Sequence, residues 1–283
     1  MDIRQALAMP NRSSIEQWAR TGAQSQYLGT MKVINEEVPI VLCRVLHKYL
    51  MIVSAKDLSV SPHLMLNGMW EPWVTMAIAR YIKPGMVCVD VGAQQGYYTL
   101  LMADLVGDLG HVLVFEPQQW ACMCLEKSLD TNGLRKRVTH WDMALADRVG
   151  GLDLYTHPYL QGSASLKRLD GLSKGDVVDV TTLDAVLEQP ERYSEMPDPD
   201  FVKIDVERLE SEVLEGMSNL LERKRKITIC AEVTGPAQPL VDKYTAQGFT
   251  AGTVGYDGHV KKFDPKRDEN QGDEWQMLWL ERQ

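Results

Sequence analysis

Long apolar runs are missing from this 283-residue chain, and no segment is long enough to span a bilayer. An excess of positive charge is missing too: 30 Lys and Arg stand against 39 Asp and Glu, a net charge of -9. That balance argues against a nonspecific nucleic-acid binder, which needs a basic field, and leaves room only for a local basic patch. The one dense basic run, Arg223-Lys224-Arg225-Lys226, falls between an expected helix and an expected strand and reads as a solvated helix C-terminus. Cysteines are few, Cys43, Cys88, Cys122, Cys124 and Cys230, with no zinc or disulfide spacing among them. Cys88 and Cys230 sit inside apolar strand runs and read as buried small hydrophobes in a reducing cytosol. Internal repeats and low-complexity tracts are absent. No basic stretch followed by an apolar core opens the sequence, so no secretory signal is expected.

What is present is organised around Met86 to Leu101. Met86 to Val91 is the short apolar run of a parallel strand covered on both faces, with Asp90 near its end. Gly92 and Gly96 follow, and Tyr97 to Val106 has helical apolar spacing. Strand, glycine loop and helix place backbone N–H groups against a polar ligand, and glycines let the backbone approach it. The middle glycine of a dinucleotide fingerprint is missing, since Ala93, Gln94 and Gln95 separate Gly92 from Gly96. A carboxylate before the first glycine repels a diphosphate. Asp90-x-Gly92-x-x-x-Gly96 suits a ligand with a cationic end, such as S-adenosylmethionine; a strand–helix turn with incidental glycines is the plain alternative.

Elsewhere the chain alternates strands and helices, which predicts a mainly parallel sheet with helices on both faces. Residues up to about Gln24 carry two weak helical patterns with a capping region at Asn11 to Ser14, and the pattern turns strand-like from Tyr27. Ile40 to Leu46 and Tyr49 to Ser54 predict a hairpin. Short helices are expected to start at Ser61-Pro62 and at Pro72, the second preceded by Glu71, which either caps the helix or meets a ligand. His111 to Glu116 reads as a second core strand. Glu116 lies about two dozen residues beyond the glycine loop, near the separation at which α/β nucleotide sites place an acid on ribose hydroxyls. A helix from Pro117 to Thr131 follows, then a third strand, Arg137 to Trp141. It leads to Asp142-Met143-Ala144, an acid and a small residue suited to an adenine amino group and ring edge. Ala146 to Ser173 is the least patterned part, with Gly162 to Ser165 as a loop near the site. Pro190 to Pro199 reads as a linker. Phe201 to Glu207 is a buried strand ending in Asp205 and Glu207, Glu210 to Leu221 one helix, and Ile227 to Val233 a strand containing Glu232. Two final strands joined without a helix predict an antiparallel edge hairpin.

Taken together, Gly68-Met69-Trp70-Glu71-Pro72, Asp90 to Thr99, Glu116-Pro117, Thr182-Leu183-Asp184 and Lys203-Ile204-Asp205-Val206-Glu207 resemble, in order, the FkbM-type S-adenosylmethionine-dependent methyltransferases. The resemblance implies a Rossmann-like α/β fold with a seven-stranded, mainly parallel sheet over residues 84–283. A small N-terminal α+β extension, residues 1–83, then serves as a lid or as an interface between copies. It implies methyl transfer to an oxygen, commonly a hydroxyl of a sugar, polyketide or other natural product, with a small-molecule or saccharide acceptor; composition and charge add the expectation of a cytoplasmic enzyme with no nucleic acid and no membrane span.

Carried across by position, Asp90, Gly92, Gly96, Tyr97, Thr99 and Glu116 hold the cofactor, Asp142 and Ala144 sit by the adenine, and Glu71 closes the amino-acid end. Asp205, Glu207 and Lys203 are the catalytic candidates; Arg208, His157 and Glu232 are the candidate substrate contacts. One of two close carboxylates with a raised pKa suits removal of a hydroxyl proton. A rival role has Asp205 bind the cofactor ammonium with no strong base present, and a third reading has Asp205, Glu207 and Glu232 hold a divalent metal. His157 is either a loop base or simply solvated. Arg208 stands where the family usually has glycine; it either selects a carboxylate or phosphate on the substrate or turns to solvent or Glu212. Two other classes stand beside methyl transfer: a non-catalytic S-adenosylmethionine-binding module, if Arg208 blocks the acceptor pocket, and a dinucleotide-dependent oxidoreductase.

Overall fold

The fold, seen in a computed structural model, is described for residues 40–189, 197–224, 226–268 and 274–283. The helices and strand-like stretch read before Ile40, most of the 190–199 linker and Arg225 of the basic run lie outside the described residues.

The core strand of the glycine unit, β3 (Val87–Val91), is buried at every position. It lies mid-sheet because its two faces are both apolar, as a strand covered on each side must be. On one side it pairs in parallel with β4 (His111–Phe115), which pairs with β5 (Val138–Trp141). On the other it pairs in parallel with β9 (Phe201–Ile204), which is followed by β10 (Ile227–Thr234). The chain thus winds outward in one direction from β3 and in the other from β9. The crevice above the carboxyl ends of these two strands is a topological switch point, where open α/β sheets hold ligands.

Beyond β10 the last strand, β13 (Trp275–Arg282), inserts antiparallel between β10 and β11 (Thr250–Val254). The two final predicted strands are therefore antiparallel neighbours. A short β12 (Val260–Lys262) adds an eighth strand at the edge. All three of its residues are exposed and two are lysines, which suits an edge that must resist further pairing.

The hairpin of β1 (Ile40–Val45) and β2 (Tyr49–Ser54) forms as read. Its turn holds Leu46 and His47 at φ 53 and 55, a left-handed pair usually given to Asn-Gly. It packs on the helix Gln119–Thr131 through backbone donors: Ile52 N–H to Ser128 Oγ at 2.9 Å and Leu50 N–H to Asn132 Oδ1 at 3.0 Å. Ser54 N–H donates to Gln95 Oε1 at 2.6 Å, tying the hairpin to the glycine loop.

One helix was expected over Glu210 to Leu221; two short ones occur, Glu210–Glu215 and Ser218–Arg223. The break falls at Gly216, where a Cβ would stand 2.0 Å from the Ala146 carbonyl oxygen. Asp184 then caps the second helix from another segment, accepting from Asn219 and Leu220 N–H at 2.8 and 2.9 Å. The poorly patterned stretch after β5 builds a separate three-stranded sheet, β6 (Ala144–Leu145), β8 (Ser173–Thr181) and β7 (Gly150–Thr156) in that order. The five cysteines are buried free thiols. Among the described residues no helix is long and apolar enough to cross a membrane.

Candidate active site

The glycine loop is built differently from its sequence expectation. Each of its amides is spent inside the protein. Gly92 and Ala93 N–H donate to the Phe115 carbonyl at 2.9 and 3.2 Å, and Gly96 N–H to the Ala93 carbonyl at 2.9 Å. Gln94 N–H donates to Glu116 Oε2 at 2.8 Å and Gln95 N–H to Gln94 Oε1 at 3.2 Å. The loop therefore presents no row of N–H donors to an anion. Its glycines answer to packing rather than to ligand approach. Gly92 has φ +76 and a Cβ there would lie 1.9 Å from the Asp205 carbonyl oxygen; Gly96 has φ +90 and a Cβ there would lie 2.3 Å from Leu125 Cδ1.

Beside this loop a cavity of about 300 Å³ opens above β3 and β9. Glu116 forms part of its wall. Its two oxygens take N–H bonds from Gln94 and from Gln118, the latter at 2.9 Å, and burial pushes its carboxyl up to about 7. Each oxygen keeps capacity to accept a further hydrogen bond.

Lys203 stands at the centre of the charge arrangement. It is 1 % exposed, donates to Asp205 Oδ2 at 3.0 Å, and lies 4.7 Å from the centroid of the Tyr98 ring. Burial works against its charge, but Asp205 and Asp90 overcome that and hold it protonated. Asp90 is fully buried and accepts from Thr99 Oγ1 at 2.6 Å, while its Oδ1 has no hydrogen-bond partner. Burial raises its carboxyl and Lys203 pulls it back. Cα pairing of Asp90 with Lys203 across the β3–β9 ladder explains why the two charges meet.

Three further acids share the wall. Glu71, at φ 39, precedes the helix Pro72–Tyr81 but makes no capping bond; its carboxylate instead accepts from the Tyr98 hydroxyl at 2.8 Å. Burial, and then Asp205, push it up to about 7. The same two causes bring Glu207 up to about 7 and Glu232 up to about 10. Glu71, Glu116, Asp205, Glu207 and Glu232 thus face one cavity with Lys203 as the single cation among its described lining residues.

Of the residues singled out from sequence, Gly92, Tyr97 and Ala144 also line this cavity. Asp90, Gly96 and Thr99 lie outside the lining; Asp90 and Thr99 are buried together. Asp142 is exposed and outside the lining. His157 is outside as well: its Nδ1 accepts the N–H groups of Tyr159 and Leu160 at 3.2 and 2.9 Å, closing a local turn. Arg208 is exposed, outside the lining, and at φ 78, so it does not block the pocket. Among the described residues no three His, Cys, Asp or Glu side chains are grouped to hold a metal ion, which leaves the metal reading of Asp205, Glu207 and Glu232 without a geometry.

Sequence reading missed Asp57. This fully buried acid accepts from the N–H groups of Ser59, Val60 and Ser61 and, at 3.1 Å, from that of Gln161. Gly162 N–H donates to Ser59 Oγ at 2.9 Å beside it. The pair fastens the loop Gln161 to Ala164 against Ser59 and Val60, and both segments line the cavity. The local signal was the Asp57-x-Ser59 turn spacing. Trp70, read only as part of the Gly68–Pro72 motif, and Trp275, which carried no signal of its own, are also in the wall.

The residues fit S-adenosylmethionine: its ammonium and sulfonium would meet an acid-rich wall, and its ribose hydroxyls would find an acceptor in Glu116. They do not fit a dinucleotide, whose diphosphate would find carboxylates and no unspent loop amide.

No curated protein matches the chain. The chain is similar to the FkbM methyltransferase from Methylobacillus flagellatus KT, at 17% identity and a TM-score of 0.43, over 70% of this chain and 43% of that one. It therefore spans less than half the length of that protein. It is similar to an rRNA methylase from Streptococcus thermophilus at 13% identity and a TM-score of 0.42, over 74% of this chain and 93% of that one. An S-adenosylmethionine-dependent O-methyltransferase from Thermotoga maritima stands at 14% and 0.40, over 74% and 64%. Likenesses this distant decide neither the acceptor nor its class, and the exclusion of nucleic acid read from net charge gains no support from them. The sequence model of one family, the methyltransferase FkbM domain, matches residues 90–259, more than half of the chain and the stretch that carries the glycine loop, Glu116, Lys203, Asp205, Glu207 and Glu232. The chain belongs to the FkbM methyltransferases, which implies S-adenosylmethionine as its methyl donor.

Proposed function

We propose that this protein transfers the methyl group of S-adenosylmethionine to a hydroxyl of a small molecule, a sugar or another natural product, without a metal. The observation that carries this reading is Glu207: a cavity-facing carboxyl held near neutrality beside the Lys203–Asp205 pair. The cofactor supplies an already electrophilic methyl, so what the protein must add is alignment and a place for the acceptor's proton. Alignment of well-held reactants is worth about 7–11 kcal/mol. A base titrating near working pH is suited to take a hydroxyl proton late in the step. Glu207 fills that role. Glu232, pushed up to about 10, is protonated at neutral pH and donates a hydrogen bond to the acceptor. Asp205 and Glu71 draw the cofactor ammonium, and Glu116 takes its ribose hydroxyls. Residues 84–283 form the catalytic domain in this reading. Residues 1–83 form an extension that lends Ser59, Val60, Trp70 and Glu71 to the wall.

The test is incubation of the protein with small-molecule cell extract and isotopically methyl-labelled S-adenosylmethionine. A labelled, base-stable methyl ether is expected by mass spectrometry, and it should vanish with Glu207→Gln. Calorimetric cofactor binding without any labelled product would overturn the enzymatic reading in favour of a binding module.

A further inference from the structure

The acceptor side of the cavity has a charge balance and a surface chemistry that restrict what can enter, given the reading of the cavity as a methyl-transfer site. Glu207 and Glu232 face it, and with Glu71, Asp205 and Glu116 they make five carboxyl groups, four of them able to carry charge beside the protonated Glu232, against the one ammonium of Lys203. That ammonium is 1 % exposed and already paired to Asp205 at 3.0 Å. The basic residue next to the wall's Leu166 is Lys167, and its ammonium is held by Glu212 at 2.7 Å and by the Arg208 carbonyl at 2.6 Å. Arg208 itself lies outside the lining. A bound cofactor adds an ammonium, a sulfonium and its own carboxylate, one net positive charge, which leaves the wall acidic. The rest of the acceptor side is apolar: Trp70, Val60, Leu166, Leu209 and the Trp275 side, 45% exposed. Indole side chains beside acid groups suit a ring that shows C–H bonds on its face and hydroxyls on its edge.

We infer that the acceptor carries no negative charge on the part that enters, that it lays an apolar ring face against Trp70 and Trp275, and that phosphorylated or carboxylated acceptors are turned away. Like charges brought together in a poorly solvated site are the repulsive element that specificity requires. The reading replaces Arg208, an anion selector by position alone, with a wall that selects against anions.

The experiment uses the full chain. Small-molecule cell extract is separated on ion exchangers into anionic, neutral and cationic pools, and total RNA is kept as a fourth pool. Each is incubated with methyl-labelled S-adenosylmethionine. Label is expected in the neutral or cationic pool, at least about tenfold above the anionic pool, the factor that one modest unfavourable contact imposes. Label chiefly in the anionic pool or in RNA overturns the inference and leaves methyl transfer standing. No label in any pool, with cofactor binding intact by calorimetry, overturns methyl transfer and the inference with it. For the acceptor recovered, Trp275→Ala is expected to raise KM about tenfold or more, with the fall in kcat smaller than the rise in KM. A KM unchanged by the substitution removes the indole from the acceptor's path and overturns that part of the inference.

Discussion

The two ends of the cavity are built in different ways. The donor end comes mainly from one continuous unit, β3, its loop, the helix Tyr97–Val106 and β4 with Glu116 at its tip, to which Glu71 and Asp205 are added at the ammonium side. Its amides are internally spent and its glycines are fixed by contacts with the Asp205 carbonyl and Leu125. The acceptor end is assembled from pieces far apart in sequence: Val60, Trp70, Leu166, Glu207, Glu232 and Trp275. The difference teaches that the donor end is stiff because packing dictates it, whereas the acceptor end is set by what a few unconnected side chains happen to present. Substitutions at the donor end should therefore damage the fold or the cofactor, and those at the acceptor end turnover.

The sharpest version of that contrast is Gly92→Ala set against Gly85→Ala. Both glycines are left-handed, at φ +76 and +87, but a Cβ at Gly92 meets backbone at 1.9 Å and one at Gly85 meets nothing within 4 Å. Gly85→Ala should cost about 1–2 kcal/mol, the left-handed penalty alone. Gly92→Ala adds overpacking and should cost about 3 kcal/mol or more. Thermal melts read both, at roughly 2–4 °C per kcal/mol for a chain of this size. Equal losses would mean that the β3–β9 junction yields, and the donor end would not be the stiff one.

Next in size is a pair of carboxyl-to-amide changes, one at each end. Glu207→Gln should lower kcat by about 10²–10⁴-fold, the range of a lost general base, while leaving cofactor affinity nearly as it was. Glu116→Gln should do the reverse. Losing a charge-assisted bond worth about 1.5–3 kcal/mol weakens cofactor binding by roughly 10–100-fold, with turnover at saturating cofactor little changed. Calorimetry and steady-state kinetics on the two proteins separate the effects; a kcat insensitive to Glu207→Gln would remove it as the base.

A smaller effect lies in pH. Glu71, Glu116 and Glu207 are raised from 4.5 to about 7, each by burial first. A carboxyl with a folded pKa above its unfolded one gives its full stabilising advantage below the unfolded pKa and loses it as pH rises through the folded pKa. Between pH 5 and 8 the cofactor-free protein should therefore lose several degrees of Tm, and bound S-adenosylmethionine should recover part of the loss. Activity should run the opposite way, rising through about pH 7 as Glu207 loses its proton, with that limb missing in Glu207→Gln. A flat melt over this range would mean that the acids are better solvated than their burial implies.

The same contrast explains what could be read from the sequence. The parallel sheet, the hairpin and the order of motifs were legible because each depends on local periodicity or on a strand–turn–helix spacing. That Glu116, Asp205 and Glu207 would line one cavity also followed, because strand tips at a switch point converge. Asp90 was read as a cofactor ligand and is buried with Thr99 instead, since a strand's alternation does not say how deep below its tip a side chain ends. The helix break at Gly216 was hidden because its cause, the Ala146 carbonyl, lies about seventy residues away in sequence. The Asp57 junction with Gln161 and the place of Trp275 in the acceptor wall were illegible for the same reason. No local pattern records which distant loop a turn will fasten.

Arg208→Gly tests the contrast at its finest. Glu207 and Arg208 are successive left-handed residues, φ 53 and 78, at the very turn where the two ends meet. Glu210 Oε1 accepts from Arg208 N–H at 3.1 Å, Ser165 Oγ donates to the Glu207 carbonyl at 2.7 Å, and Lys167 holds the Arg208 carbonyl at 2.6 Å. The surroundings thus impose a backbone that glycine adopts freely and arginine does not. Glycine here removes a penalty of about 1–2 kcal/mol but restores chain entropy to the unfolded state, so the net gain should be about 1 kcal/mol or less. Tm should rise by no more than about 4 °C, with cofactor affinity unchanged because the side chain lies outside the cavity wall. A gain in Tm accompanied by a tenfold fall in kcat/KM would show arginine reaching the acceptor from outside, its strained backbone retained for the reaction. A gain in Tm with kcat/KM intact would leave the turn as packing alone, belonging to the stiff end.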